Sequence, residues 1–211
     1  MAMIESAVNT VQLIVTFVCA SYAFVRAAVS HKRSWFLLGL FLGAAFLGDL
    51  YWGLFLLFYG DTPNYAYISA LNWYAMFMFL MLLFTELEGR KIEWSRRWTM
   101  WFIPLFTAGM CVYYMQWGAW LDNIATAACM TVLLWRAVDG IVHVRGKKGE
   151  ESRNRAYYLA VLLFCFAEYC LWTASCLWEG DTFANPYMWF DVLLTLSFAV
   201  FPFALRKAVD V

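Results

Sequence analysis

Apolar residues dominate the chain in seven long runs that are separated by short polar stretches. The runs cover 7–29, 34–58, 65–86, 98–117, 119–143, 156–178 and 187–205. Each is close to the ~20 residues that an α-helix needs to cross the hydrocarbon core of a bilayer. A chain in lipid must also satisfy its backbone polar groups internally. The pattern therefore predicts an all-α integral membrane protein with seven transmembrane helices.

The composition supports this class and excludes others. The 211 residues are 64% hydrophobic and 20% aromatic, whereas about half of a soluble domain is apolar. The formal net charge is +0, which gives no reason to expect a nucleic-acid partner. The six cysteines lie inside apolar runs, without the spacing of a zinc site or of a disulfide framework. We therefore interpret them as small buried hydrophobic residues.

Positive charge is confined to alternate connections between the runs and to the C-terminal end. The 15 Lys and Arg residues lie within 26–33, 90–97, 136–155 and 206–207. The other connections carry acidic residues instead, namely Asp61, Asp122, Glu179 and Asp181. Cytoplasmic loops are the ones that retain Lys and Arg. We therefore expect the N-terminus outside and the C-terminus in the cytoplasm, in the cytoplasmic membrane of a prokaryote.

Two parts of the chain resemble each other in their polar positions. Asp49 and Glu168 are 119 residues apart, and so are Asn72 and Asp191, while the turn GDT at 60–62 recurs at 180–182. The chain is therefore predicted to contain two three-helix repeats, joined by one helix. The first repeat covers 1–86, the linker 87–118 and the second repeat 119–211. Because the first spans of both repeats run outside to inside, the repeats are expected to be parallel and related by an axis along the membrane normal.

This arrangement predicts a site made of four polar side chains. At 1.5 Å per residue, Asp49 and Glu168 lie roughly 16–18 Å below the outer turns, and Asn72 and Asp191 roughly 8–11 Å below them. A charged residue near mid-membrane costs at least about 2.5–3.5 kcal/mol and usually faces a bundle interior. We therefore expect a cavity that opens outward, with Asp49 and Glu168 as candidate functional residues that titrate as a coupled pair. The alternative is that both carboxyls only join helices by hydrogen bonds.

The predicted binding residues are the other two polar groups and nearby aromatic side chains: Asn72, Asp191, Tyr51, Trp52, Trp73 and Trp172. Aromatic faces attract cations, so the expected partners are a membrane lipid or a small amphiphilic or cationic ligand. A homo-oligomer is compatible with this pattern. No metal or other cofactor is expected. The methionine-rich run at 76–81 lacks His or Cys at ligand spacing, and the last run has no lysine for a retinal Schiff base.

The sequence GDLYWGLF at 48–55, followed by Asn72 at 23 positions from Asp49, resembles the lysoplasmalogenase family. The likeness covers 42–75 and 160–198. It implies a polytopic enzyme that hydrolyses the vinyl-ether bond of lysoplasmalogens, with Asp49 and Glu168 as the two acids. The reaction needs a general acid to protonate carbon and a carboxylate to stabilise the oxocarbenium ion. The chain differs from the family in having seven runs instead of eight, and Asn72 where a histidine is common.

Two further classes remain open. The 3+1+3 plan is similar in architecture to SWEET, PQ-loop and PnuC-type carriers of sugars or vitamins, although architecture alone does not imply function. A ligand sensor or a subunit of a membrane complex would need a partner protein for its output, because the cytoplasmic connections are short. The sequence thus predicts the architecture and a site, and leaves enzyme, carrier and sensor as alternatives.

Overall fold

The computed structural model describes residues 3–60, 68–89, 97–118, 120–146, 149–178 and 182–210. These residues form seven α-helices and two short 3₁₀ turns, with no strand among them. The helices are α1 (Met3–Ser30), α2 (Arg33–Tyr59), α3 (Ile68–Glu88), α4 (Phe102–Tyr114), α5 (Trp120–Val144), α6 (Arg155–Leu177) and α7 (Pro186–Val209). The 3₁₀ turns are Trp98–Trp101 and Gly149–Ser152. The prediction of an all-α chain is therefore confirmed for the described residues.

Each predicted apolar run contains one α-helix. In the run 98–117, α4 is preceded by the 3₁₀ turn Trp98–Trp101 and followed by a turn at 115–117, and residues 65–67 and 119 lie outside the described residues. Among the described residues, five helical segments are long and apolar enough to cross a membrane: Ser6–Ser30, Arg33–Tyr59, Trp120–Val144, Arg155–Leu177 and Pro186–Val209. Many large apolar side chains on these helices are exposed, as residues that face lipid would be. The protein is accordingly a helical integral membrane protein.

Six helices form a closed ring. Around it, α1 packs on α2, α2 on α3, α3 on α5, α5 on α6, α6 on α7, and α7 back on α1. Helix α4 lies outside the ring against α5. Small residues allow close approach at two of these contacts. A Cβ on Gly140 of α5 would lie 2.6 Å from the Tyr158 ring of α6, and one on Gly39 of α2 would lie 2.7 Å from the Phe24 ring of α1.

Aromatic side chains fill the centre of the ring near one end. Phe41 of α2 contacts the rings of Phe164, Phe198 and Phe201, with centroids 4.9–5.9 Å apart, and Phe77 of α3 extends this cluster. All five side chains are almost fully buried. The cluster therefore closes this half of the bundle to water.

Ion pairs join the helix ends beyond this cluster, where the basic residues lie. The Arg136 guanidinium of α5 donates to Glu88 of α3 at 2.9 Å and to the Thr85 hydroxyl at 3.1 Å. Asp210, just after α7, accepts from Arg26 of α1, from Lys32 at 2.9 Å and from the Trp35 indole at 3.4 Å. We refer to this part of the molecule as the basic end.

Candidate functional site

A cavity of about 430 Å³ occupies the half of the ring opposite the basic end. Its lining comes from the N-terminal turns of α1, α3, α5 and α7, from the later turns of α2 and α6, and from the end of α4 with the segment after it. Phe198 lines its inner limit and belongs to the aromatic cluster. The cavity exists because the large central rings stop at this level and Gly48, Ala44 and Ala45 leave space on α2.

Asp49 lies in the wall of this cavity and is held by neutral donors. The Gln12 side-chain amide donates to one carboxyl oxygen at 3.1 Å, and the Thr16 hydroxyl lies 3.5 Å from the other. Gln12 in turn accepts from the Thr195 hydroxyl of α7 at 2.9 Å. One glutamine of α1 thus connects α2 to α7 and fixes the orientation of the Asp49 carboxyl. These partners contribute hydrogen bonds but no compensating positive charge.

Asp191 lines the same cavity from α7 and is 5% exposed. It is close enough to interact electrostatically with both Asp49 and Glu168. Asn72 of α3 lies opposite Gly48, where a Cβ would be 3.4 Å from the Asn72 amide nitrogen. Among the described residues that line the cavity, none is Lys, Arg or His. The lining therefore combines two carboxyls with neutral polar groups.

Aromatic side chains make up much of the remaining wall: Trp52, Trp73, Tyr114, Trp117, Trp172 and Tyr187. They come from five different parts of the chain, so their rings surround the space from several directions. Aromatic faces carry partial negative charge and attract cations within about 6 Å of the ring centre. Together with the carboxyls, they give the cavity a lining suited to a positively charged group.

Glu168 lies beside this cavity but lines a second, much smaller pocket. This pocket has a volume of about 20 Å³ and shares the side chains of Tyr114, Asn123 and Trp172 with the cavity. Glu168 is 1% exposed, and neither carboxyl oxygen has a hydrogen-bond partner among the described residues. The Trp172 indole, one turn along α6, is a weak donor towards the Glu168 carboxyl, but its position does not meet the geometry of a hydrogen bond.

Six of the eight predicted site residues line the cavity: Asp49, Trp52, Asn72, Trp73, Trp172 and Asp191. Glu168 lines the small pocket next to it. Tyr51 is half-buried and packs on Phe55, with ring centroids 6.0 Å apart. It is not among the residues that line either space.

Sequence reasoning missed the contribution of Gln12, which holds Asp49, and of Thr195, which holds Gln12. A signal existed, because Gln12 is an amide inside an apolar run with Thr16 one turn later. A polar side chain in a spanning helix needs a partner on another helix. Asn123, near the start of α5, is a further lining residue that the sequence pattern does not single out.

The described residues contain no group of three or more His, Cys, Asp or Glu side chains placed to hold a metal ion. Comparisons with protein-family models, with curated proteins and with solved structures found no match. The chemistry of the cavity is therefore the basis for inferring the function of this chain.

Proposed function

We propose that the protein has seven spans and that its cavity binds a small organic cation, either free or as the headgroup of a membrane lipid. The observation that carries this proposal is the lining: two carboxyls and seven aromatic side chains, with no Lys, Arg or His among its described residues. Buried charges in proteins are normally compensated by a partner. A cationic ligand would supply that compensation, and about 430 Å³ is within the usual range for small-molecule sites.

The ring of helices supports the predicted repeat. Exchanging α1, α2 and α3 with α5, α6 and α7 maps the ring contacts onto one another. It takes α1–α2 to α5–α6, α2–α3 to α6–α7, and α3–α5 to α7–α1. A parallel repeat about an axis along the membrane normal would have this property. In this arrangement the cavity opens outward, the basic end faces the cytoplasm, and the N-terminus is outside.

The length of the linker helix also supports seven spans. The 4-residue turn Trp98–Trp101 leads directly into the 13 residues of α4. At the rises of the 3₁₀-helix and the α-helix these residues cover roughly 27 Å. That is close to the ~30 Å of a hydrocarbon core. Helix α3 has 21 residues, enough for a similar distance.

For the reaction, we propose hydrolysis of a vinyl-ether lipid, as the resemblance to lysoplasmalogenases implies. The supporting observation is that Asp49 and Asp191 share one cavity and interact electrostatically. One carboxyl in its acid form would protonate the vinyl carbon, and the other, as a carboxylate, would stabilise the oxocarbenium ion. Water would then add to this ion and pass one proton to the carboxylate, which leaves a neutral hemiacetal. The resulting hemiacetal breaks down to a fatty aldehyde and the glycerophospho-headgroup. Glu168, in its own pocket, would act on this pair through its charge.

A carrier of cations is the second candidate. It is favoured by the ring of two equivalent halves, because halves that rock against each other around a central site are a common design of carriers. An enzyme needs access to its cavity from one side of the membrane only, whereas a carrier needs access from each side in turn. Transport across a sealed vesicle therefore distinguishes the two functions.

The proposal is tested by calorimetry on the protein in lipid nanodiscs, with choline and its uncharged carbon isostere dimethylbutanol as ligands. Choline should bind more tightly, and Asp49→Asn should weaken it by roughly 2–5 kcal/mol, as for removal of one partner of a buried charge pair. Glu86→Gln, an acid at the basic end that is 3.9 Å from Arg33, is the matched control and should leave choline binding unchanged. Equal affinity for the two ligands, or none for either, would overturn the cation site.

Two further measurements assign the class. Release of fatty aldehyde from a lysoplasmalogen, lost in Asp49→Asn, would establish hydrolysis. Uptake of labelled choline into sealed proteoliposomes without aldehyde release would establish a carrier. Binding without either activity would leave a receptor for the ligand and exclude both.

A further inference from the structure

The small pocket contains several polar atoms that are buried and lack partners. Both Glu168 carboxyl oxygens, the Asn123 amide nitrogen and the Tyr169 hydroxyl are shielded from solvent and form no hydrogen bond among the described residues. Glu168 is 1% exposed and Asn123 is 6% exposed, and all three side chains line the same pocket of about 20 Å³. Three side chains with unpaired polar atoms in one small pocket are unusual, because buried polar groups are hydrogen-bonded in the great majority of cases.

The size and chemistry of this pocket fit one water molecule. A site needs at least about 10–15 Å³ for a water and two to four polar partners around it. Asn123 can donate to the water, the Glu168 carboxyl can accept from it, and the Tyr169 hydroxyl can do either. One water has enough donors and acceptors to serve as a partner for all three groups. A metal ion fits less well, because the amide N–H would face it.

Asn123 connects this pocket to the cavity. It lines both spaces, as do Tyr114 and Trp172, so a water held against Asn123 is one side chain away from a ligand. Glu168 also interacts electrostatically with Asp49 and Asp191 across this wall. A change in the charge of Glu168 would therefore act on a cation in the cavity by Coulomb interaction, without contact between them.

We propose that the small pocket is a proton-binding site, made of the Glu168 carboxyl and one water, and that proton uptake there opposes cation binding in the cavity. The inference rests on the proposed cation site and adds its regulation. Protonation converts the carboxylate to a carboxyl group and removes one negative charge near the ligand. Binding of a cation, in turn, favours release of that proton to solvent, since linkage is reciprocal.

Other titratable groups lie around Glu168, and they determine which substitution tests the proposal. They are Asp49 of α2, Cys111 and Tyr114 of α4, Cys165 and Tyr169 of α6, and Asp191 of α7. The part of α5 that lines the pocket contributes neutral groups, including Asn123 and Thr126. None of the described residues that line the pocket is basic. Asp49 and Asp191 line the ligand cavity itself, so Glu168 is the carboxyl that can be changed without altering a ligand contact.

The test measures choline affinity as a function of pH, across the range in which the protein stays folded. The affinity of the unchanged protein should fall by about fivefold or more as pH decreases, the usual lower range of site coupling. Glu168→Gln should flatten this profile and release fewer protons on binding, counted by calorimetry in buffers of different ionisation enthalpy. Glu86→Gln should keep the original profile. If Glu168→Gln keeps it too, the inference is wrong and the cation site stands.

A second measurement tests the proton-binding site even if choline does not bind. Infrared difference spectra, recorded as pH changes without ligand, should contain a carboxyl carbonyl band that is absent in Glu168→Gln. Tyr169→Phe removes one partner of the proposed water while leaving the cavity lining intact, and should shift that band. A band that is unchanged in Tyr169→Phe, or no band that depends on Glu168, would overturn the proton site.

Discussion

Acidic side chains have positively charged partners at the basic end of the bundle, whereas those in the cavity half have neutral donors or no hydrogen-bond partner among the described residues. At the basic end, Glu88 pairs with Arg136 at 2.9 Å, with the two side chains 6% and 5% exposed, and Asp210 pairs with Arg26 and Lys32. In the other half, Asp49 receives only neutral donors, and Glu168 has no hydrogen-bond partner among the described residues. The burial is similar but the partners differ.

The presence or absence of a cationic partner distinguishes the two groups of acids. A carboxylate that already has an arginine as partner joins helices, and its charge is not available to a ligand. A carboxyl held by amides, or by nothing, still requires a counter-charge or a proton. Under the proposed function, the acids of the basic end contribute to stability and those of the cavity half to binding.

The largest expected effect concerns the sides of the membrane. In a background without native cysteines, Phe183→Cys, on the exposed connection before α7, should be labelled on intact cells by a membrane-impermeant maleimide. Lys207→Cys, exposed near the end of α7 at the basic end, should be labelled only after permeabilisation. The reason is that the proposed orientation keeps the basic residues in the cytoplasm. The reverse pattern would place the cavity opening inside, and equal labelling would remove the distinction between the two ends.

The next largest effect is on stability at the basic end. The Arg136 guanidinium has two acceptors, Glu88 and Thr85. Glu88→Met should leave the guanidinium buried with only the Thr85 hydroxyl of these two. Breaking a buried pair in this way typically costs about 3–5 kcal/mol. The measurement is the free energy of unfolding in detergent–lipid mixtures. The double variant Glu88→Met with Arg136→Met is the control, and it should recover much of the loss. A loss below about 1 kcal/mol in the single variant would mean that the pair behaves like an exposed one.

The same substitution in the other half should have the opposite sign. Glu168→Met removes a carboxyl that has no protein hydrogen bond, and burying such a group costs roughly 1–3 kcal/mol in proteins. Because the proposed water offsets part of that cost, we expect stabilisation of about 1 kcal/mol in the same unfolding assay. Destabilisation comparable to that of Glu88→Met would show that Glu168 has a structural partner after all, and the comparison between the two ends would fail.

The architecture could be predicted from sequence because lipid leaves the backbone few choices. The apolar runs gave helices with bounds close to the observed ones, and α7 continues beyond its predicted end to Val209. The cavity acids Asp49 and Asp191 stand out for a related reason, since carboxyls in apolar runs are costly and face the interior. Hydrophobic pattern thus locates both the spans and the exceptional residues within them.

The partners of these acids could not be predicted. Counting residues along a helix gives the depth of Glu168 but not the direction in which it points, and it points into a pocket bounded by α4 and α5. In the same way, nothing in the α1 sequence states that Gln12 meets α2 and α7. Such contacts depend on how six helices are arranged around the ring, which local pattern does not contain.

The smallest expected effect is a pH dependence at the basic end. Burial alone would raise the pKa of Asp210, but hydrogen bonds from Lys32, Trp35 and Arg26 more than offset it, so the pKa of Asp210 is lowered from its ordinary value. A carboxyl whose folded pKa is lowered stabilises the fold above its unfolded pKa, and this contribution is lost as pH falls through the folded pKa. Lys32 is 42% exposed, so solvent screens the interaction and the effect should be below about 1 kcal/mol. Unfolding measured at neutral and acidic pH should give a smaller difference in Asp210→Asn than in the unchanged protein. An equal difference in both would mean that Asp210 behaves as an ordinary surface carboxylate, and the contrast between the two ends would then depend on Glu88 and Arg136 alone.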